Sequence, residues 1–290
     1  MRIFPLCLAC LLLFLFPAKE IAAQGVSANN AVLLDQKSGK VLFEKRAHEK
    51  QSIASITKVM TAIIAIESGK MDEIAKTSRK AIYTEGSSIY LEQGEKMNVE
   101  DLVYGLMLRS GNDSAIAIAE QIGGSEEGFV HLMNEKAAWI GMQNTHFDNP
   151  HGLESDTHYS TAYDMALLMR YAMENKEFQK ISGTKMHKAE SRSYAWKNKN
   201  RLLTEKYRYC TGGKTGFTKK AGRTLLTTAE KDGHALVVVT LNAPDDWNDH
   251  IQLYEYGFGR LTEETASTIN DESSFLKDVQ VMFLRILKVR

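Results

Sequence analysis

Ser55 stands three residues before Lys58, Ser110 two before Asn112, and Lys214 leads directly into Thr215 and Gly216, in that order along the chain. A serine hydroxyl is a weak nucleophile until a base accepts its proton during attack. The apolar-periodic run from Ser55 to about Glu67 predicts a helix on which residues three apart share a face, so Lys58 can reach the Ser55 hydroxyl. An unperturbed lysine, with a pKa of about 10.4, stays protonated at neutral pH. Burial and a neighbouring cation must depress it, and Lys214 is the candidate cation. Lys214 and Thr215 also offer an ammonium and a hydroxyl to a carboxylate, while Gly216 lets a substrate backbone approach closely. The Ser110 hydroxyl can relay a proton, and the Asn112 amide can hold both Lys58 and a substrate amide. The chemistry open to this set is acyl transfer through an ester on Ser55.

The elements that must position these residues are legible in outline. Residues 31–45 read as two strands around Lys37-Ser38-Gly39, and helical periodicity covers 98–107, 113–122 and 125–140, with Gly123-Gly124 and Gly141 as stops. Thr161-x-x-Asp164 is a near capping box opening a helix to Glu174. Strands are expected over Arg223–Thr228 and Ala235–Asn242, turned by Lys231-Asp232-Gly233, with a helix over 245–258. Ser55 thus opens a helix, Ser110 follows a helix end at Leu108, and Lys214-Thr215-Gly216 sits at a strand edge before a hydrophobic strand. Strands at both ends with helices between imply an α+β fold, its sheet assembled from distant segments beside a helical insertion.

Around these motifs the stretches SIASITKVMTA (52–62), EDLVYGLMLRSGNDSAIAIAE (100–120), NPHGLESDTHYSTAYDMALL (149–168) and GGKTGFTKKAGRTLL (212–226) resemble the serine-type D-alanyl-D-alanine carboxypeptidases, the low-molecular-mass penicillin-binding proteins, over residues 26–258. TEGSSIYLEQGEKM (84–97) and DWNDH (246–250) resemble the endospore-former, spore-cortex subgroup. The resemblance implies a β-lactamase/DD-peptidase-like fold, a five-stranded antiparallel sheet flanked by helices, in a catalytic domain over 24–260 with a mostly helical subdomain at roughly 75–170. It implies that Ser55 attacks the bond between two terminal D-alanines of a peptidoglycan stem peptide, that Lys58 is the base, that Ser110 and Asn112 assist, and that the N–H groups of Ser55 and Phe217 hold the oxyanion. Lys214, Thr215, Gly216, Phe217, Thr218 and His151 would bind substrate. β-Lactam antibiotics would acylate Ser55.

The rest of the sequence bounds this reading. Arg2, the apolar run Ile3–Phe16 and Ile21-Ala22-Ala23 read as a secretory signal over 1–23, which places the enzyme outside the cytoplasmic membrane. Cys7 and Cys10 would leave with that signal, and Cys210 is expected as a buried, inert thiol. With 36 basic and 36 acidic residues no nucleic-acid partner is expected. No His-Glu-x-x-His or paired-cysteine site occurs, so neither a metal nor a cofactor is expected. The 261–290 tail carries an amphipathic segment at 275–290, with Phe275, Leu276, Val279, Met282, Phe283, Ile286 and Leu287 on one face, which reads as a membrane-surface anchor in place of the family's β-rich C-terminal domain.

Two further features set this chain against its rivals. Family members carry an arginine shortly after the last strand of this region, but 242–250 has none, leaving the substrate carboxylate to Lys214, Thr215 and Thr218, with Arg223 in reserve. The alternatives are a DD-endopeptidase, a serine β-lactamase and a catalytically silent wall- or penicillin-binding module. No Glu-x-x-Leu-Asn setting between Asn112 and Lys214 supplies the deacylating glutamate of a class A β-lactamase, and the intact motif set argues against the silent module.

Overall fold

The computed structural model describes residues 25–265; the expected signal at 1–23 and the amphipathic segment at 275–290 lie outside them. In chain order the strands are β1 (Asn30–Asp35), β2 (Val41–Lys45), β3 (Ile74–Lys76), β4 (Lys96–Asn98), β5 (Met186–His187), β6 (Trp196–Lys197), β7 (Cys210–Thr218), β8 (Gly222–Lys231) and β9 (His234–Leu241). The helices are α1 (Lys58–Glu67), α2 (Arg79–Ile82), α3 (Val99–Tyr104), α4 (Asn112–Gly123), α5 (Glu126–Ile140), α6 (Ala162–Ala172), α7 (Lys176–Ser182) and α8, which spans 246–265. Five strands make one antiparallel sheet in the order β2-β1-β9-β8-β7, as the expected fold requires.

β9 shows why this sheet needs two covers. Its side chains alternate between faces, and both sets are apolar: Val237, Val239 and Leu241 enter the core shared with α1 and α6, whereas Leu236 and Val238 meet Leu253, Tyr254 and Phe258 of α8. α6 packs on β1 and β9, so this helix, which falls inside the 75–170 stretch, lies against the sheet, and α2 to α5 pack among themselves and on α1. Thr161 caps α6 by accepting from the Asp164 N–H at 3.0 Å, the contact its capping box predicts.

Three local departures bear on the site. Ser55 lies in a tight 3-10 turn, Ala54–Thr57, with α1 beginning only at Lys58. That turn eclipses residues three apart, so it brings Ser55 and Lys58 together as well as an α-helix would. α3 loosens into a wider π-helical turn at Gly105–Arg109 before the chain reaches Ser110, so the expected single helix over 98–107 is two forms in series. The strand that holds Lys214-Thr215-Gly216 is itself nine residues long, paired on one side with β8 and otherwise an open edge. Gly213 in it has φ +142° and its missing Cβ would stand 2.3 Å from the Leu226 carbonyl oxygen, so a side chain there would force the two strands apart.

Candidate active site

The open edge of β7 runs past the start of α1. A Cβ on Gly216 would lie 2.9 Å from the Ser55 nitrogen and 2.4 Å from Thr224 Oγ1, so glycine is what lets the strand approach the serine. Ala54, just before the serine, has φ +49° and Ser110 has φ +66°, a left-handed conformation that costs a non-glycine residue roughly 1–2 kcal/mol. The surroundings hold Ala54 there: Thr57 Oγ1 donates to its carbonyl at 2.8 Å, Gly152 packs against that carbonyl, and Thr224 Oγ1 donates to the Ile53 carbonyl at 3.0 Å.

Lys58 is fully buried, and its Nζ lies 3.0 Å from Ser55 Oγ, 2.7 Å from Asn112 Oδ1 and 2.5 Å from the His151 carbonyl oxygen. Burial, then the charge of Lys214, holds its pKa well below the usual lysine range. A neutral Lys58 has two N–H groups and one lone pair. Two of its neighbours are carbonyl oxygens that can only accept, so they take the N–H groups and the lone pair turns to Ser55, whose hydroxyl then donates. Lys214, 1% exposed, donates to Ser110 Oγ at 3.1 Å and to the Thr215 carbonyl at 2.7 Å. Burial and then Lys199 lower its pKa to about 7. The Asn112 amide donates to the Glu85 carbonyl at 2.5 Å, tying α4 to the loop that carries Ser87.

These groups open onto a cavity of about 290 Å³ lined by Ser55, Ser110, Thr215, Gly216 and Phe217, together with Ser87, Lys199, Arg223, Asp246 and Trp247. Phe217 is 65% exposed at its mouth. The structure therefore brings Ser55, Lys58, Ser110, Asn112, Lys214, Thr215, Gly216 and Phe217 to one place, with the N–H of Ser55 beside β7.

Two of the expected substrate contacts, Thr218 and His151, have side chains engaged with protein groups. The Thr218 hydroxyl donates to the Glu154 carboxylate and accepts from the Ala221 N–H at 3.0 Å, which ties it to the β7–β8 turn. His151 serves the site through its carbonyl. Its buried imidazole accepts from the Leu153 N–H at 3.1 Å and lies 3.9 Å from Glu126, and burial lowers its pKa to about 3, so the ring is neutral. His158, read as structural, accepts at Nδ1 from the Asp148 N–H and meets Thr57 Oγ1 with Nε2 at 2.9 Å. Cys210 is buried, and burial raises its pKa to about 11, away from the thiolate a reactive cysteine needs.

Sequence reading gave no site role to Ser87, Lys199, Asp246 and Trp247, which reach the cavity from three separate segments; Ser87, Asp246 and Trp247 lie within the 84–97 and 246–250 stretches, and Lys199 lies in no motif. It also overlooked Asp113, whose buried carboxylate accepts from the N–H groups of Ile89 and Leu91, both at 3.1 Å, and from Ser88 Oγ at 2.6 Å. An acidic residue in the first turn of α4, directly after the Ser110 motif, was the available signal.

A half-buried serine paired with a buried lysine at the foot of a helix, beside the edge of an antiparallel sheet, is the architecture of the DD-peptidases. A solved D-alanyl-D-alanine carboxypeptidase from Mycobacterium tuberculosis superposes with a TM-score of 0.79 at 28% identity, covering 84% of this chain and 95% of that one. The chain belongs to the D-alanyl-D-alanine carboxypeptidase family, whose sequence model matches residues 18–245. It is 36% identical over 244 residues to the D-alanyl-D-alanine carboxypeptidase DacF of Bacillus subtilis, covering 80% of this chain and 62% of that protein. It is 34% identical over 287 residues to DacC of Escherichia coli, covering 91% of this chain and 70% of that one. The chain thus spans less than two thirds of the length of DacF, and 58% of the DacD of Salmonella typhimurium.

Proposed function

We propose that this protein is a serine D-alanyl-D-alanine carboxypeptidase that removes the terminal D-alanine from peptidoglycan pentapeptide stems. The observation that carries the reading is the buried Lys58 amine, held by two carbonyl oxygens with its remaining position on Ser55 Oγ. Ser55 Oγ attacks the carbonyl between the two D-alanines as Lys58 Nζ takes its proton. The N–H groups of Ser55 and Phe217 hold the oxyanion that forms. The proton passes from Lys58 to the leaving amine through Ser110, whose hydroxyl is held by Lys214. D-Alanine departs, and water hydrolyses the ester on Ser55 with Lys58 again as base. A β-lactam ring offers the same carbonyl, with a leaving amine that stays tethered, and so blocks the serine.

Export is supported by the apolar Ile3–Phe16 run behind Arg2, and attachment to the membrane surface by the amphipathic pattern of 275–290. A role in spore-cortex peptidoglycan is supported by the segments 84–97 and 246–250. Both supply cavity-lining residues, Ser87 from the first and Asp246 and Trp247 from the second. Mass spectrometry of the protein incubated with a D-Ala-D-Ala pentapeptide and with penicillin tests the assignment. Loss of one D-alanine per peptide and a long-lived penicilloyl adduct are expected, both absent in Ser55→Ala. Rapid repeated penicillin turnover would instead indicate a β-lactamase.

A further inference from the structure

The cleft needs a cation for the substrate carboxylate, and its lysines are poor permanent charges. Lys58 and Lys214 are buried with depressed pKa values, Lys214 at about 7, and burial and then Arg109 depress Lys199. Lys214 Nζ is moreover held by Ser110 and the Thr215 carbonyl. Arg223 differs on each count. A guanidinium keeps its proton throughout the working pH range and presents a planar fork matched to a carboxylate. It projects from β8 directly opposite Phe217 in the strand register, lining the same cavity as Ser55, Thr215 and Gly216.

Its setting looks built. Arg223 Nη2 donates to Asp246 Oδ1 at 2.9 Å, and the guanidinium carbon stands 5.5 Å from the ring centre of Trp247. The Asp246 side chain is 3% exposed and that of Arg223 42%, so the carboxylate is a fixed post in α8 from which the guanidinium reaches into the opening. Among the described residues, the other N–H groups of Arg223 meet no acceptor. A surface ion pair would need no such burial on one side only.

We propose that Arg223 binds the terminal carboxylate of the substrate, oriented by Asp246 and Trp247, and so supplies from β8 the cation that segment 242–250 lacks. This rests on the carboxypeptidase reading. The test is kcat/KM for D-alanine release by the full chain from a peptide ending in D-Ala-D-Ala, and for release of D-alaninamide from the same peptide as its C-terminal amide. Wild type should favour the free carboxylate. Arg223→Gln should lose about 10- to 100-fold on the acid, the range for a charge-assisted hydrogen bond, with little change on the amide. Unchanged amide turnover also reports that the variant is folded, and Arg223→Lys should recover part of the preference. Asp246→Asn should raise KM for the acid with kcat kept and add nothing to Arg223→Gln in the double variant, as a positioning residue must. An acid-to-amide preference that survives Arg223→Gln overturns the assignment of Arg223, and one with its KM unmoved in Asp246→Asn overturns the positioning role. Absence of release from either peptide by wild type would instead overturn the carboxypeptidase reading beneath it.

Discussion

Replacing Lys214 by Met should stabilise the fold at acid and neutral pH while damaging the site. Lys214 is 1% exposed, and its pKa falls from 10.5 to about 7, chiefly through burial. A base whose folded pKa lies below its unfolded value binds fewer protons when folded, so the fold is penalised in full below about 7 and the penalty fades as pH rises towards 10.5. At about 1.4 kcal/mol per pH unit that gap corresponds to about 5 kcal/mol. Met fills the same volume without the charge, although it forgoes the bonds to Ser110 Oγ and the Thr215 carbonyl, a loss that does not vary with pH. Urea denaturation of both proteins at pH 6, 8 and 10 isolates the charge: the stability difference should move against Lys214→Met by several kcal/mol between the first pH and the last. A second readout comes from Lys58, whose pKa the Lys214 charge depresses. Whatever penicillin acylation the variant retains should require a higher pH. A stability difference that is flat from pH 6 to 10 would refute the claim that Lys214 is buried against its charge.

Three further outcomes are expected. Asp113→Ala leaves the N–H groups of Ile89 and Leu91 without their acceptor, at about 1–3 kcal/mol for each buried donor, and should lower the urea midpoint and slow acylation as the Ser87 loop loosens. Gly152→Ala places a methyl 2.0 Å from the Ala54 carbonyl oxygen at a φ of +87°, and should slow penicilloyl-adduct formation at least about tenfold, read by quench-flow mass spectrometry. Deleting 273–290 should shift the protein from the membrane to the soluble fraction on ultracentrifugation; unchanged fractionation would remove the anchor.

What could be read from the sequence was local. Ser55 and Lys58 were paired by spacing alone, and the turns at Lys37-Ser38-Gly39 and Lys231-Asp232-Gly233 fixed two of the sheet's hairpins. β7 was visible only as a strand edge at its motif, because Gly212, Gly213 and Gly216 dilute the apolar alternation that marks a strand, and its glycines answer to neighbours that no local pattern contains. Lys199 escaped for the same reason. It enters the cavity from a segment with no motif, and only the folded chain sets it beside Ser55. His151 was picked out for its side chain, and the contact it makes with Lys58 comes from its carbonyl oxygen, an atom every residue has and no motif can flag.

The close approach of Gly216 to the Ser55 nitrogen has a mechanical consequence. The two amides that would embrace the oxyanion come from different layers, one from the turn leading into α1 and the other from the rim of the sheet. The width of that gap is therefore a gauge of how the layers are seated on each other. Enlarging or emptying a core position such as Ile56 or Val59, both fully buried in the core that α1 shares with the sheet, would change the gauge without touching a reacting atom. In this molecule, errors of packing should register first as lost turnover and only later as unfolding.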